Sequence, residues 1–144
     1  ESHVFDIAMK NLEENSRVNN GKILVMDDEE DIRYIFTKML SRLQYEVEVA
    51  GDGSEAIELF KNAIDTKKPF DAVIMDLKVA GGMGGDEAVV NLLEIDDETK
   101  IIMSSGSISD QIMIDYRMYG IKAILRKPFK KDDLKETLRT VISE

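Results

Sequence analysis

Four short runs of uninterrupted apolar residues constrain this chain more than any other feature. They are Ile23-Leu24-Val25-Met26, Ala72-Val73-Ile74-Met75, Ile101-Ile102-Met103 and Ala123-Ile124-Leu125. Runs of that length without alternation suit strands covered on both faces, and such strands belong to parallel sheets. A fifth segment, Tyr45-Glu46-Val47-Glu48-Val49, alternates instead. It reads as an edge strand with one side more exposed.

Amphipathic stripes fill the intervals. Ile32, Ile35, Phe36, Met39, Leu40 and Leu43 follow helical spacing over three turns. Ala56, Ile57, Phe60, Ala63 and Ile64 form a second stripe, ended by Pro69. Ala88, Val89, Leu92 and Leu93 form a third. Ile112, Met113 and Tyr116 form a fourth, stopped by Gly120, and Leu134, Leu138, Val141 and Ile142 form the last. Each stripe is most simply core-facing. Strand and helix therefore alternate in five units, which predicts an α/β fold with helices on both faces of a parallel sheet. In the common doubly wound orders, ligands bind beyond the carboxyl ends of the strands, at the switch point.

Residues 1–20 differ from the rest. Phe5, Ala8, Met9 and Leu12 recur at helical spacing, and Asn15, Ser16, Asn19, Asn20 and Gly21 then break the pattern. The expected division is a helical extension or linker over 1–20 and one domain over 21–144. His3 reads as a solvated histidine. The chain has no cysteine, so disulfides and cysteine-based metal sites are excluded. No apolar run approaches the roughly 20 residues that span a bilayer, and no secretory signal is evident. A cytoplasmic setting is expected. The 29 acidic residues against 19 basic ones give a formal net charge of −10. Such a surface repels nucleic acid and anionic lipid, so direct contact with either is not expected.

The acids matter where they cluster. The first apolar run leads into Asp27-Asp28-Glu29-Glu30-Asp31, and the third strand ends in Asp76. With strand order 2-1-3-4-5, strands one and three are neighbours, and Asp27, Asp28 and Asp76 converge on one crevice. Carboxylates that close raise one another's pKa unless a cation neutralises them. Carboxylates, a carbonyl and waters suit a hard cation such as Mg²⁺. Acids also favour the first turn of a helix, which accounts for Glu29, Glu30 and Asp31. It does not account for Asp76 at the end of an apolar strand. The fourth strand ends in Ser104-Ser105-Gly106 and the fifth runs into Lys127-Pro128-Phe129. A hydroxyl and an ammonium at that crevice suit the oxygens of an anionic group attached to Asp76.

Taken together, the strand ends over residues 22–143 resemble the receiver domains of two-component signalling, a flavodoxin-like fold. The resemblance implies that Asp76 accepts a phosphoryl group from a phosphohistidine of a histidine kinase or phosphotransfer domain. It further implies that Asp28 and Asp76 contact Mg²⁺ directly, that Asp27 acts mainly through water, and that the backbone carbonyl of Lys78 completes the protein ligands. Ser105 is then the hydroxyl that moves towards the phosphoryl group, Lys127 pairs with its oxygens, and the Lys127–Pro128 bond is a candidate cis peptide. Such a protein catalyses its own modification and changes its interaction surface around the fourth helix and fifth strand. An output domain, a partner protein or a second copy would read that surface, with Ile114, Met118 and Tyr119 as candidate contacts.

The sequence departs from the family at three places. Ala80 stands where a proline is usual, Ile124 where an aromatic switch residue is usual, and Gly81-Gly82-Met83-Gly84-Gly85 is unusually glycine-rich. With Lys78 and Val79, that run resembles receivers attached to hybrid sensor histidine kinases, so a stand-alone protein and a piece of such a kinase both remain open. Three rival readings fit the residues less well. A degenerate receiver, acting as a phosphorylation-independent interaction module, would not need the full set of acids, hydroxyl and lysine. A phosphatase of the haloacid-dehalogenase type wants an Asp where Lys78 stands. A flavodoxin relative would not place four acids where the flavin phosphate binds.

Overall fold

The computed structural model describes residues 19–107 and 110–144. Of the helical extension or linker expected over residues 1–20, residues 1–18, His3 included, lie outside the described residues. Five strands alternate with helices: β1 (Gly21–Met26), α1 (Glu30–Arg42), β2 (Tyr45–Ala50), α2 (Gly53–Asp65), β3 (Ala72–Asp76), α3 (Gly85–Ile95), β4 (Ile101–Ser105), α4 (Gln111–Ile114), β5 (Ala123–Arg126) and α5 (Lys131–Ser143). The sheet is parallel with strand order β2-β1-β3-β4-β5, as the sequence predicts. The alternating segment is indeed an edge, and β5 forms the other.

Period-two alternation divides the core into two layers. Ile23, Val25, Ala72, Ile74, Ile102 and Leu125 face one side and pack with Phe36 and Leu40 of α1 and Leu134, Leu138 and Val141 of α5. Leu24, Met26, Val73, Met75, Ile101 and Met103 face the other and pack with Ala56 and Phe60 of α2 and Ala88, Val89 and Leu92 of α3. The helix stripes hold with two exceptions. Ile35 and Ile64 are 41% and 38% exposed, at the margins of their helices' buried faces.

Local chemistry sets the helix starts. Asp52 caps α2, its carboxylate accepting from the Glu55 N–H at 2.9 Å. Glu30 and Asp31 lie in the first turn of α1, where acids favour the helix dipole. Asp27 and Asp28 precede that helix, so the helix-acid account does not extend to them. The Phe129 ring packs on Phe36 with centroids 4.9 Å apart, tying the segment after β5 to α1.

The fourth helix differs from expectation. It ends at Ile114, and Asp115 leaves helical geometry with φ −102° and ψ 33°. A 3-10 turn, Tyr116–Tyr119, follows and closes on Gly120 at φ 83°. The cause lies in what the chain must bury. Met113 and Ile121 are buried, whereas Ile114 is 59% and Met118 85% exposed, so no continuous apolar face spans the segment. The tighter turn lets the Tyr116 carbonyl accept from Ile121 and swings the chain into β5. Tyr119, a candidate surface contact, is 44% exposed, while Tyr116 packs against the core.

Phe36 is 1% exposed and joins α1 to the segment that follows Lys127. Phe36→Ala should therefore lower unfolding stability by about 3–5 kcal/mol, measured by urea denaturation.

Candidate phosphoryl-acceptor site

The strand order carries chain ends from β1, β3, β4 and β5 to one edge. Asp27 extends β1: its N–H donates to the Ala50 carbonyl at 3.0 Å, prolonging the pairing with β2. Asp76 is the last residue of β3 and stands in register with Ser104 of β4. Carboxylate oxygens of Asp27, Asp28 and Asp76 all lie within 4.8 Å of one another. The three differ in burial: Asp27 is buried, Asp76 half-buried and Asp28 exposed. Lys127 reaches them from beyond β5. Its ammonium lies 2.7 Å from Asp27 Oδ2 and 3.6 Å from Asp76 Oδ1. The Lys127–Pro128 peptide is cis.

Each acid is already partly committed. The other oxygen of Asp27 accepts the Glu29 N–H at 2.9 Å. Asp28 Oδ2 accepts the Ala80 N–H at 3.2 Å, linking the first acidic loop to the loop after β3. Arg33 on α1 donates to the Asp27 carbonyl at 2.8 Å and holds that loop from behind. Of the residues singled out in the sequence, the geometry gathers Asp27, Asp28, Asp76 and Lys127. Ser105 ends the adjacent strand, 8% exposed, and its hydroxyl accepts from the Ser107 N–H at 3.1 Å. The Lys78 ammonium turns outward and pairs with Asp110, at the start of α4, at 3.3 Å. Ile124 packs against the core beside β4.

The glycine-rich loop has a steric cause. A Cβ on Gly85 would lie 2.6 Å from both the Asp76 carbonyl oxygen and Met103 Sδ, and one on Gly84 would lie 2.7 Å from the Leu77 carbonyl. Only glycine lets α3 start this close to the backbone of Asp76. The Arg33 and Ala80 contacts were also missed. Neither has a motif that would reveal it, because both depend on how loops distant in sequence meet.

The electrostatics follow from this packing. Burial pushes the Asp76 carboxyl up from 3.8 to about 6. Lys127 works against that rise, and Asp27 and Asp28 reinforce it. Burial alone would pull Lys127 down, but its hydrogen bond to Asp27 and the charges of Asp76 and Asp27 raise it on balance. Three carboxylates and one ammonium leave an excess of negative charge that a divalent cation would offset. The all-oxygen donor set suits a hard cation. Asp28, exposed and holding only a backbone N–H, and half-buried Asp76 are the carboxylates best placed to meet it.

The chain is similar to known proteins. The sequence pattern of the response regulator receiver domain family matches residues 23–139. The transcription factor SKN7 of Saccharomyces cerevisiae is 35% identical over 81% of this chain, which spans only 18% of that protein's length. The chemotaxis protein CheY of Thermotoga maritima is 31% identical over 83% of this chain and 96% of its own. Among solved structures, response regulator protein TrrA of Thermotoga maritima, in complex with Mg²⁺ and BeF, superposes with a TM-score of 0.69 at 28% identity. That match covers 83% of this chain and 97% of TrrA.

The raised Asp76 pKa fixes the sign of a pH effect. Between 3.8 and about 6 the folded protein holds a proton that the unfolded chain releases. Stability therefore falls as pH rises through that window, and above it the ionised carboxylate costs up to about 3 kcal/mol. In buffer free of divalent cations, Asp76→Asn should unfold at higher denaturant than the native chain at pH 7. The gap should close towards pH 4. Denaturation series across pH measure both.

Proposed function

The chain belongs to the response regulator receiver domain family, and on that premise we propose that Asp76 accepts a phosphoryl group from a phosphohistidine of a histidine kinase or phosphotransfer domain. The observation that carries the reading is the convergence of Asp27, Asp28, Asp76 and Lys127 at one edge of the sheet. A degenerate interaction module would need none of these groups so close together.

The residues divide the work as follows. An oxygen of the Asp76 carboxylate attacks phosphorus, the phosphorus–nitrogen bond breaks, and the imidazole leaves with a proton taken up from solvent. Asp76 becomes an acyl phosphate. Mg²⁺, when bound, supplies charge neutralisation of the phosphoryl oxygens and of the crowded carboxylates. Asp28 and Asp76 would hold it directly, together with the Lys78 carbonyl. Asp27 already serves Lys127 and the Glu29 N–H, which suits it to act through water. Lys127 pairs with the phosphoryl oxygens. Ser105 exchanges its bond with the Ser107 N–H for one to the phosphoryl group. That exchange would alter the β4–α4 connection, next to the exposed Ile114, Met118 and Tyr119. A partner protein, an output domain or a second copy would read the change. Water later hydrolyses the acyl phosphate, so the domain returns to its starting state. Among the described residues no helix is long and apolar enough to cross a membrane, and the phosphodonor is expected to meet this domain in the cytoplasm.

Incubation with Mg²⁺ and phosphoramidate tests the reading by intact mass. A gain of one phosphoryl group is expected, dependent on Mg²⁺ and absent in Asp76→Asn. A folded native chain that gains nothing would favour the interaction module. Lys78 offers a second check. Its side chain, three-quarters exposed and paired with Asp110, lies two residues after Asp76 and should shield the phosphoryl group from water. Lys78→Ala should hydrolyse its acyl phosphate about threefold faster, followed by the decay of the phosphorylated mass.

A further inference from the structure

Ser104 has a buried hydroxyl that the mechanism above does not use. It is 1% exposed, and its Oγ has no hydrogen-bond partner. Orphaned buried hydroxyls are rare, because each forfeits the hydrogen bonds it made in water. The backbone of Ser104 is not the cause: its carbonyl accepts the Leu77 N–H at 3.0 Å.

The location of Ser104 gives the hydroxyl a task. Ser104 stands in register with Asp76 on one side and Leu125 on the other. Ile74 on β3, Ile102 on β4 and Leu125 on β5 all belong to the layer beneath α1 and α5. Alternation puts Asp76 and Ser104 on that same face. β4 lies between β5 and β3. The Lys127 arm starts beyond β5, yet its ammonium sits 2.7 Å from Asp27, after β1, and 3.6 Å from Asp76, on β3. Its path leads over the carboxyl end of β4, whose residue in register with Asp76 is Ser104.

The needs of the two groups match. An ammonium has three donors. Here one is well used, on Asp27, and the contact with Asp76 is too long for a good hydrogen bond. The ammonium is held by the negative charge of Asp27. Once a phosphoryl group is attached to Asp76, the strongest negative charge lies on β3, one strand closer to β4. The ammonium then moves back towards Ser104.

We propose that Ser104 is a positioning residue for Lys127, its hydroxyl accepting an ammonium N–H when Lys127 turns from Asp27 to the phosphoryl group on Asp76. The inference rests on the reading of Asp76 as acceptor. It adds a second serine to the site with a role separate from that of Ser105. Ser105 answers the phosphoryl group directly; Ser104 steadies the lysine that does so. In the unphosphorylated state the hydroxyl lies idle, which accounts for its lack of a partner.

The test compares the native chain, Ser104→Ala, Ser104→Thr, Lys127→Met and the Ser104→Ala/Lys127→Met double variant. Phosphorylation by phosphoramidate with Mg²⁺ is followed by intact mass, and melting is recorded with and without Mg²⁺ and beryllofluoride. Unloaded Ser104→Ala should melt at or above the native midpoint, since it loses only an unpaired hydroxyl. It should nevertheless phosphorylate about fivefold to tenfold more slowly, the scale of one hydrogen bond to a charged group. Its midpoint should also rise less with Mg²⁺ and beryllofluoride. Ser104→Thr, which keeps the hydroxyl, should restore the rate. In the Lys127→Met background, removing the hydroxyl should change nothing. A native rate in Ser104→Ala would overturn the proposal. So would an equal slowing in the Lys127→Met background, or a lower unloaded midpoint, which would give the hydroxyl a purely structural role. A native chain that gains no phosphoryl group would instead remove the acceptor reading itself, and the proposal with it.

Discussion

Asp27, Asp28 and Asp76 bring carboxylate oxygens within 4.8 Å of one another at the carboxyl edge of the sheet, and Lys127 is the ammonium that reaches into them. Left to themselves, three such groups would repel and spread. They stay together because each is held by something that cannot retreat. Asp76 ends a strand whose preceding four residues are all buried. Asp27 extends a strand anchored on both sides. Asp28 is held by the loop that follows β3. Burial first, and then repulsion from Asp27 and Asp28, raises the Asp76 pKa against the pull of Lys127, which makes the site receptive to a cation and to the chemistry that consumes the carboxylate charge.

The rest of the structure serves that edge. Gly84 and Gly85 let α3 begin against the backbone of Asp76 and Leu77, and the loop between them brings the Ala80 N–H to Asp28. The Phe36–Phe129 contact fixes the segment after Lys127 against α1, which also carries Arg33 behind the acidic loop. Helices on both faces thus act less as a scaffold in general than as clamps on particular loops. At the opposite side of the site the hold is weaker. The four-residue α4 and its 3-10 extension leave Ile114, Met118 and Tyr119 exposed. A segment so lightly buried is the part of the fold that local events can shift most readily.

Much of this was legible in the sequence because it depended on local pattern. Unbroken apolar runs marked the buried strands, the alternation of Tyr45–Val49 marked an edge, and lone charges at the ends of such runs marked the site. Lys127 and Asp27 are a hundred positions apart, yet each could be found from the strand it ends. The features that stayed hidden arise where distant loops meet. Nothing in Ala80 announces that its N–H will bind Asp28, and the glycine run reads as turn chemistry until the Asp76 carbonyl is seen beside Gly85. The break at Asp115 was hidden for another reason: Ile112, Met113 and Tyr116 fit a helix, but burying Ile121 required a tighter turn. In the sequence Ser104 is one of two serines that end a strand, and only the sheet shows its register with Asp76.

The most direct test of the account is chemical identification of the phosphorylated residue. Treating the phosphorylated protein with borohydride reduces an aspartyl phosphate to homoserine, and peptide mass mapping then locates the change. The account predicts homoserine at position 76 and nowhere else. Homoserine at position 27 or 28, or phosphate retained on a serine, would contradict it.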